Sequence, residues 1–236
     1  MFEIEDINGA KFIFSPFDNI ETASFGIFFR VGSRFEEARL KGVAHFLEHK
    51  LFEEPDVDLF QKFSSQGAYV NAYTNFNQTS YLFYSTDNFY ENLDLLVRFV
   101  QSPFLTDENV EKEKGIIAQE IQMYQDNPKW VVFFNTLKAM YHRHPVRTDI
   151  AGTVESIYRI TKEDLETSYR TFYNPGNMVL FVVGDLDKDE VLKLLGKSTA
   201  YIERTHLTMR LFNSRLTRKT LGFSKKLEMY RACLLY

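Results

Sequence analysis

The segment VAHFLEHKLF, residues 43–52, constrains the fold more than any other stretch, because its residues sort cleanly only on a two-faced helix. Each helical residue advances about 100°. With Val43 at zero, Phe46, Leu47 and Lys50 fall within about 60° of it, while His45, Glu48 and His49 gather on the far side. The apolar stripe must therefore pack on a core, and a His-Glu-His face must look elsewhere. Pro55 follows the end of this helix.

The segments on either side say what that core is. KFIFS and SFGIFFRV are short aromatic and β-branched runs suited to neighbouring strands. AYVNAYT and TSYLFYST alternate and are joined by the polar turn NFNQ, a hairpin pattern. Two helices follow, NFYENLDLLVRFVQ and, after Pro103, DENVEKEKGIIAQEIQMYQ. Thr106 is the expected N-cap of the second, which must stop by Asn127-Pro128. Next come a helix at WVVFFNTLKAMY, a loop with His142 and His144, and short helices from Thr153 and Thr161. NMVLFVVGDL reads as a buried strand, and a final helix runs to about Lys197. The pattern predicts an α+β fold, a mostly antiparallel sheet with helices packed on one face.

Composition excludes several classes. The 236 residues carry a net charge of −4, which gives no electrostatic case for nucleic acid or for membrane lipid as partner. MFEIEDINGAKF lacks the basic and apolar regions of a secretory signal, and no apolar run is long enough to span a bilayer. The single cysteine, Cys233, can form neither an intrachain disulfide nor a cysteine zinc site. A soluble, cytoplasmic protein is expected, with any metal held by His and carboxylate. The 16% aromatic content predicts a core rich in rings. Charge divides the chain: residues 197–236 hold nine Lys or Arg against two Glu, +7, which leaves −11 for residues 1–196. A domain over 1–196 and a basic tail over 197–236, a linker or the truncated start of a second half, are expected.

Histidines at i and i+4 can both offer a ring nitrogen to one ion, and a Glu on the same face can reach the water on it. Zinc held by two histidines lacks a third ligand and some charge neutralisation, and a glutamate supplies both. On the helix after Thr106, Val110, Ile117, Ile121 and Tyr124 form the apolar stripe, with Glu113 and Glu120 at its edge. Buried carboxylates are costly unless paired or bound to metal, so two at such an edge ask for a cation. Gly115 between them is easier to accept if another helix must come close. His142 and His144, in a loop before Pro145, are the competing ligands.

HxxEH is the inverted zinc motif. GVAHFLEHKLFEE, followed 71 residues later (His49 to Glu120) by EKEKGIIAQEI, resembles the pitrilysin/insulinase metallopeptidases, which include the mitochondrial processing peptidases and bacterial homologues. The likeness runs from about residue 5 to 195, through GAYVNAYTNFNQTSYLFYST and FYNPGNMVLFVVGDL. It implies a Zn2+ cofactor with His45, His49 and Glu120 as ligands, Glu48 as the general base for the water on the metal, and Glu113 supporting the site from outside the ligand set. It implies a peptide substrate bound as an added strand along Asn71, Ala72, Tyr73 and Thr74. It also implies one half of a two-half architecture, whose other half supplies an Arg and a Tyr that hold substrate. A homologous partner half-domain or a homo-oligomer is therefore the expected partner. The expected function is zinc-dependent endopeptidase; the alternatives are a non-proteolytic structural or assembly subunit and a truncated zinc-binding pseudoenzyme.

Overall fold

The computed structural model describes residues 2–55 and 57–206. Six strands form one sheet: β1 (Glu3–Ile7), β2 (Ala10–Pro16), β3 (Ala23–Phe29), β4 (Ala68–Thr74), β5 (Thr79–Ser85) and β6 (Met178–Gly184). Their order is β1-β2-β6-β3-β5-β4, and every neighbouring pair is antiparallel except β2 with β6. Period-two alternation buries one face: Phe12 and Phe14, Phe25, Ile27 and Phe29, Tyr81 and Phe83, Leu180 and Val182.

Eight α-helices occur among the described residues: α1 (Val43–Leu51), α2 (Leu59–Ser65), α3 (Phe89–Gln101), α4 (Asp107–Gln125), α5 (Pro128–Met140), α6 (Val154–Arg159), α7 (Lys162–Phe172) and α8 (Lys188–His206). The first three pack against the sheet through β3, β4 and β5. Rings fill the layer between, as expected: Phe83 lies 6.0 Å from Phe25, 5.9 Å from Phe63 and 5.4 Å from Phe89, centroid to centroid. The sheet is thus mostly antiparallel with helices on one face. The helix starts read from threonine are present as capping boxes at Thr106, Thr153 and Thr161.

Four features depart from the sequence reading. KFIFS and SFGIFFRV become β2 and β3 but are not neighbours, because β6 inserts between them and pairs with both. Strand β1 and helix α2 carried no recognised pattern. The first is a mostly exposed edge, and the second buries only Leu59 and Phe63. The last helix continues past Lys197 to His206. Gly115 has nothing within 4 Å of where a Cβ would stand, so no close helix approach explains it. The chain resolves into two units, residues 1–199 and 200–236; the basic tail beyond His206, Cys233 included, lies outside the described residues.

Candidate metal centre

Helix α1 starts at Gly42, whose φ of +93° is a left-handed value that L side chains adopt only with strain. Its leading N–H groups are met from upstream: Glu36 accepts from the N–H of Gly42 and of Ala44, both at 3.0 Å. Burial nonetheless pushes the Glu36 carboxyl up to about 7, against the pull of these two bonds and Lys41. On α1 itself Val43, Phe46, Leu47, Lys50 and Leu51 are buried, while His45, Glu48 and His49 are half-buried on the opposite side. Lys50 ends at Glu53 and the carbonyl of Asn109, which ties α1 to the start of α4.

Helix α4 brings its carboxylates to that face. His49 Nε2 lies 3.3 Å from His45 Nε2 and 3.3 Å from Glu120 Oε2, and His45 Nε2 lies 3.7 Å from the same oxygen. Ligands at 2.0–2.1 Å in tetrahedral array around zinc stand about 3.3 Å apart. Three donor atoms at this spacing outline one face of such a tetrahedron, so the residues fit the ion. Among the described residues this is the one group of three or more potential ligands close enough to share a metal.

Glu113 lies at the far ring nitrogen: His49 Nδ1 is 3.0 Å from Glu113 Oε1. In the neutral ring, that bond puts the proton on Nδ1 and leaves the Nε2 lone pair facing His45 and Glu120. Burial alone would lower the His49 pKa, but the bonds to Glu113 and Glu120 outweigh it and push it up to about 9. His45 is driven down to about 4 by burial and by the charge on His49. Its Nδ1 is buried without a partner.

Glu48 accepts from the Thr74 hydroxyl at 2.5 Å. Burial raises its pKa, against the pull of that bond. Thr74 ends β4, which pairs only with β5 and forms one edge of the sheet. Asn71 and Tyr73 are exposed on this strand, Ala72 and Thr74 half-buried, and the Ala72 N–H is held by the Asn71 side chain at 2.9 Å. Against the Glu113 side of His49 lies a cleft of about 350 Å³, bordered by Phe52, Glu53, Glu54, Asp58 and Lys112.

His142 and His144 stand in an exposed loop, where His144 Nδ1 accepts from Val146 N–H, and neither joins the cluster. Two contributors were missed from sequence. Tyr124, read as part of the apolar stripe, is half-buried, hydrogen-bonds Glu120 and stacks on Trp130 at 4.6 Å. Glu36 escaped notice; the signal was a helix opening on Gly42, which has no side chain of its own to cap it.

Residues 13–154 match the family described as insulinase, peptidase family M16, and residues 159–228 match the peptidase M16 inactive domain. An uncharacterized zinc protease of Bacillus subtilis, YmfH, is 58% identical over 151 residues, 64% of this chain and 35% of that protein. The beta subunit of the mitochondrial-processing peptidase of Caenorhabditis elegans is 32% identical over 75% of this chain and 40% of its own length. A crystal structure of an M16-like peptidase from Alicyclobacillus acidocaldarius superposes with a TM-score of 0.82 at 44% identity, over 85% of this chain and 49% of that one. The chain thus spans about half or less of the length of these relatives. On those matches, and on a fold that repeats theirs, the chain belongs to the insulinase peptidase family, M16.

Proposed function

We propose that the chain is the zinc-binding catalytic portion of an endopeptidase that takes peptides in extended form. The observation that carries this is the convergence of His45, His49 and Glu120 at the spacing of zinc ligands, with Glu48 on the same helix face and an open sheet edge beside it. Zinc, when bound, supplies Lewis acidity that polarises a carbonyl and makes water a stronger acid. His45, His49 and Glu120 would hold it, and Glu113 would orient His49. Glu48 takes a proton from the attacking water and returns it to the departing amine, so the carboxyl ends as it began. Burial, which raises the Glu48 pKa, suits a group that must hold that proton between the two transfers.

Substrate would pair with the free edge of β4 along Asn71–Thr74. Main-chain bonds there accept many sequences, and nearby pockets set the preference. The Asn71 side chain must release the Ala72 N–H as the peptide docks. A homologous half-domain, or a second copy, would close the other side of the cleft; chain coverage of about half of the relatives supports this. None of the helices searched among the described residues is long and apolar enough to cross a membrane.

The test is Glu48→Gln. Zinc content should stay near one per chain while peptide hydrolysis falls by about 10²–10⁴, the usual contribution of a general base. Loss of zinc in parallel with activity would reject the assignment of Glu48 as base in favour of a ligand or structural role.

A further inference from the structure

Behind the Glu48 carboxyl stand two threonine hydroxyls that the reaction as described does not use. Thr74 Oγ1 stands 2.5 Å from Glu48 Oε2 and 3.3 Å from Thr79 Oγ1, across the first pair of the β4–β5 hairpin. Thr79 is fully buried and donates to the carbonyl of Val31 at 2.9 Å.

Thr79 donates to the Val31 carbonyl, and Thr74 stands beside its oxygen across the hairpin. A carboxylate is acceptor only, so the Thr74 hydroxyl donates to Glu48. That hydroxyl is therefore placed on one side by the buried Thr79 and on the other by the carboxyl it holds.

We propose that Thr74 is a positioning residue whose hydroxyl, seated beside the buried Thr79, holds the Glu48 carboxyl in its place on the His45–His49 face of α1. The inference rests on the reading of Glu48 as the base. It assigns the Thr74 side chain a task separate from the main-chain pairing of the substrate edge.

Three variants test it, each zinc-loaded and assayed with the partner half where one is needed. Thr74→Val keeps the shape and backbone but removes the hydroxyl. Zinc content and KM should hold, KM within about twofold, while kcat falls about 10–100-fold, the scale of a lost supporting contact. Thr74→Ser should recover kcat to within about threefold of the starting protein. Thr79→Val leaves the Thr74–Glu48 bond in place and should lower kcat by less than Thr74→Val. Wild-type kcat in Thr74→Val, or a Thr74→Ser loss as deep as that of Val, would overturn the proposal. Crystal structures of the same variants give a readout independent of turnover. The Glu48 carboxyl is expected in place in Thr74→Ser and displaced in Thr74→Val, and an unmoved carboxyl in both overturns the proposal. An inactive zinc-loaded wild type would reject the endopeptidase reading itself, and the carboxyl positions would still decide the clamp.

Discussion

At the scale of single residues, the centre is arranged so that a proton and a metal ion compete for one nitrogen. His49, with its pKa pushed up to about 9 by Glu113 and Glu120, carries a proton at neutral pH in the metal-free protein, while His45, lowered to about 4, does not. Binding zinc through His49 Nε2 requires that proton to leave. Below pH 9 the apparent affinity should therefore fall as pH falls, by about tenfold per unit, with one proton released per ion. Calorimetry in buffers of different ionisation enthalpy counts that proton, and pH-independent affinity between pH 6 and 8 would contradict it. The two glutamates should separate in the same assay. Glu120→Gln removes a donor and a charge from the centre and should weaken zinc binding strongly. Glu113→Gln removes only the brace on His49 and should cost about 10–100-fold. The reverse order would mean their roles are exchanged. His45, Glu48, His49, Glu113 and Glu120 were legible as candidates because HxxEH and a glutamate pair seven apart are helical spacings, readable without tertiary contacts. Tyr124 was not, because an aromatic at a stripe position reads as core, and its stack on Trp130 is a contact between two helices.

At the scale of elements, the centre depends on where α1 begins. Lys41 and Gly42 are pressed against Ala151 and Gly152: a Cβ on Gly42 would come 2.4 Å from the Ala151 carbonyl oxygen, and one on Gly152 2.4 Å from that of Lys41. Ser156 donates to the Lys41 carbonyl at 2.7 Å and closes the contact. Gly42→Ala combines this clash with a left-handed φ, which alone costs roughly 1–2 kcal/mol. It should destabilise the protein by more than that and loosen zinc as α1 shifts. Gly115→Ala is the matched control, a helical glycine with open space at its Cβ position. It should stabilise by roughly 0.5–1 kcal/mol through helix propensity. Urea unfolding of the two metal-free variants checks both signs, and a destabilised Gly115→Ala would show that the site needs a glycine for a reason these contacts do not contain. Helix starts and the β4–β5 hairpin were readable because caps and turns are local. The insertion of β6 between β2 and β3 was not, since strand order is set by pairing across more than a hundred residues.

At the scale of the whole molecule, the surface next to the centre is more apolar than a solitary chain would favour. Helix α5 buries only Phe134, while Val132 is 65% exposed, Phe133 47% and Met140 64%. Met123 and Ile116 on α4 are exposed as well. Single exposed apolar residues are ordinary, but a run of them along two consecutive helices, one carrying Glu113 and Glu120, is the kind of surface that partners cover in complexes. The chain spans 49% of the Alicyclobacillus peptidase it superposes on, which makes a homologous half the natural cover. We therefore expect the chain alone to self-associate or to bind such a half. We also expect it to cleave peptides poorly by itself, because an open cleft neither clamps an extended substrate nor excludes water from the reacting bond. Sedimentation of the zinc-loaded chain reads the first expectation. A fluorogenic peptide assay with and without the homologous half reads the second, activity rising on addition while zinc content stays constant. Val132→Lys with Met140→Lys should reduce association and leave zinc binding intact, since both side chains are exposed and neither belongs to the ligand group. A monodisperse monomer with full peptidase activity would overturn this account of the α4–α5 surface.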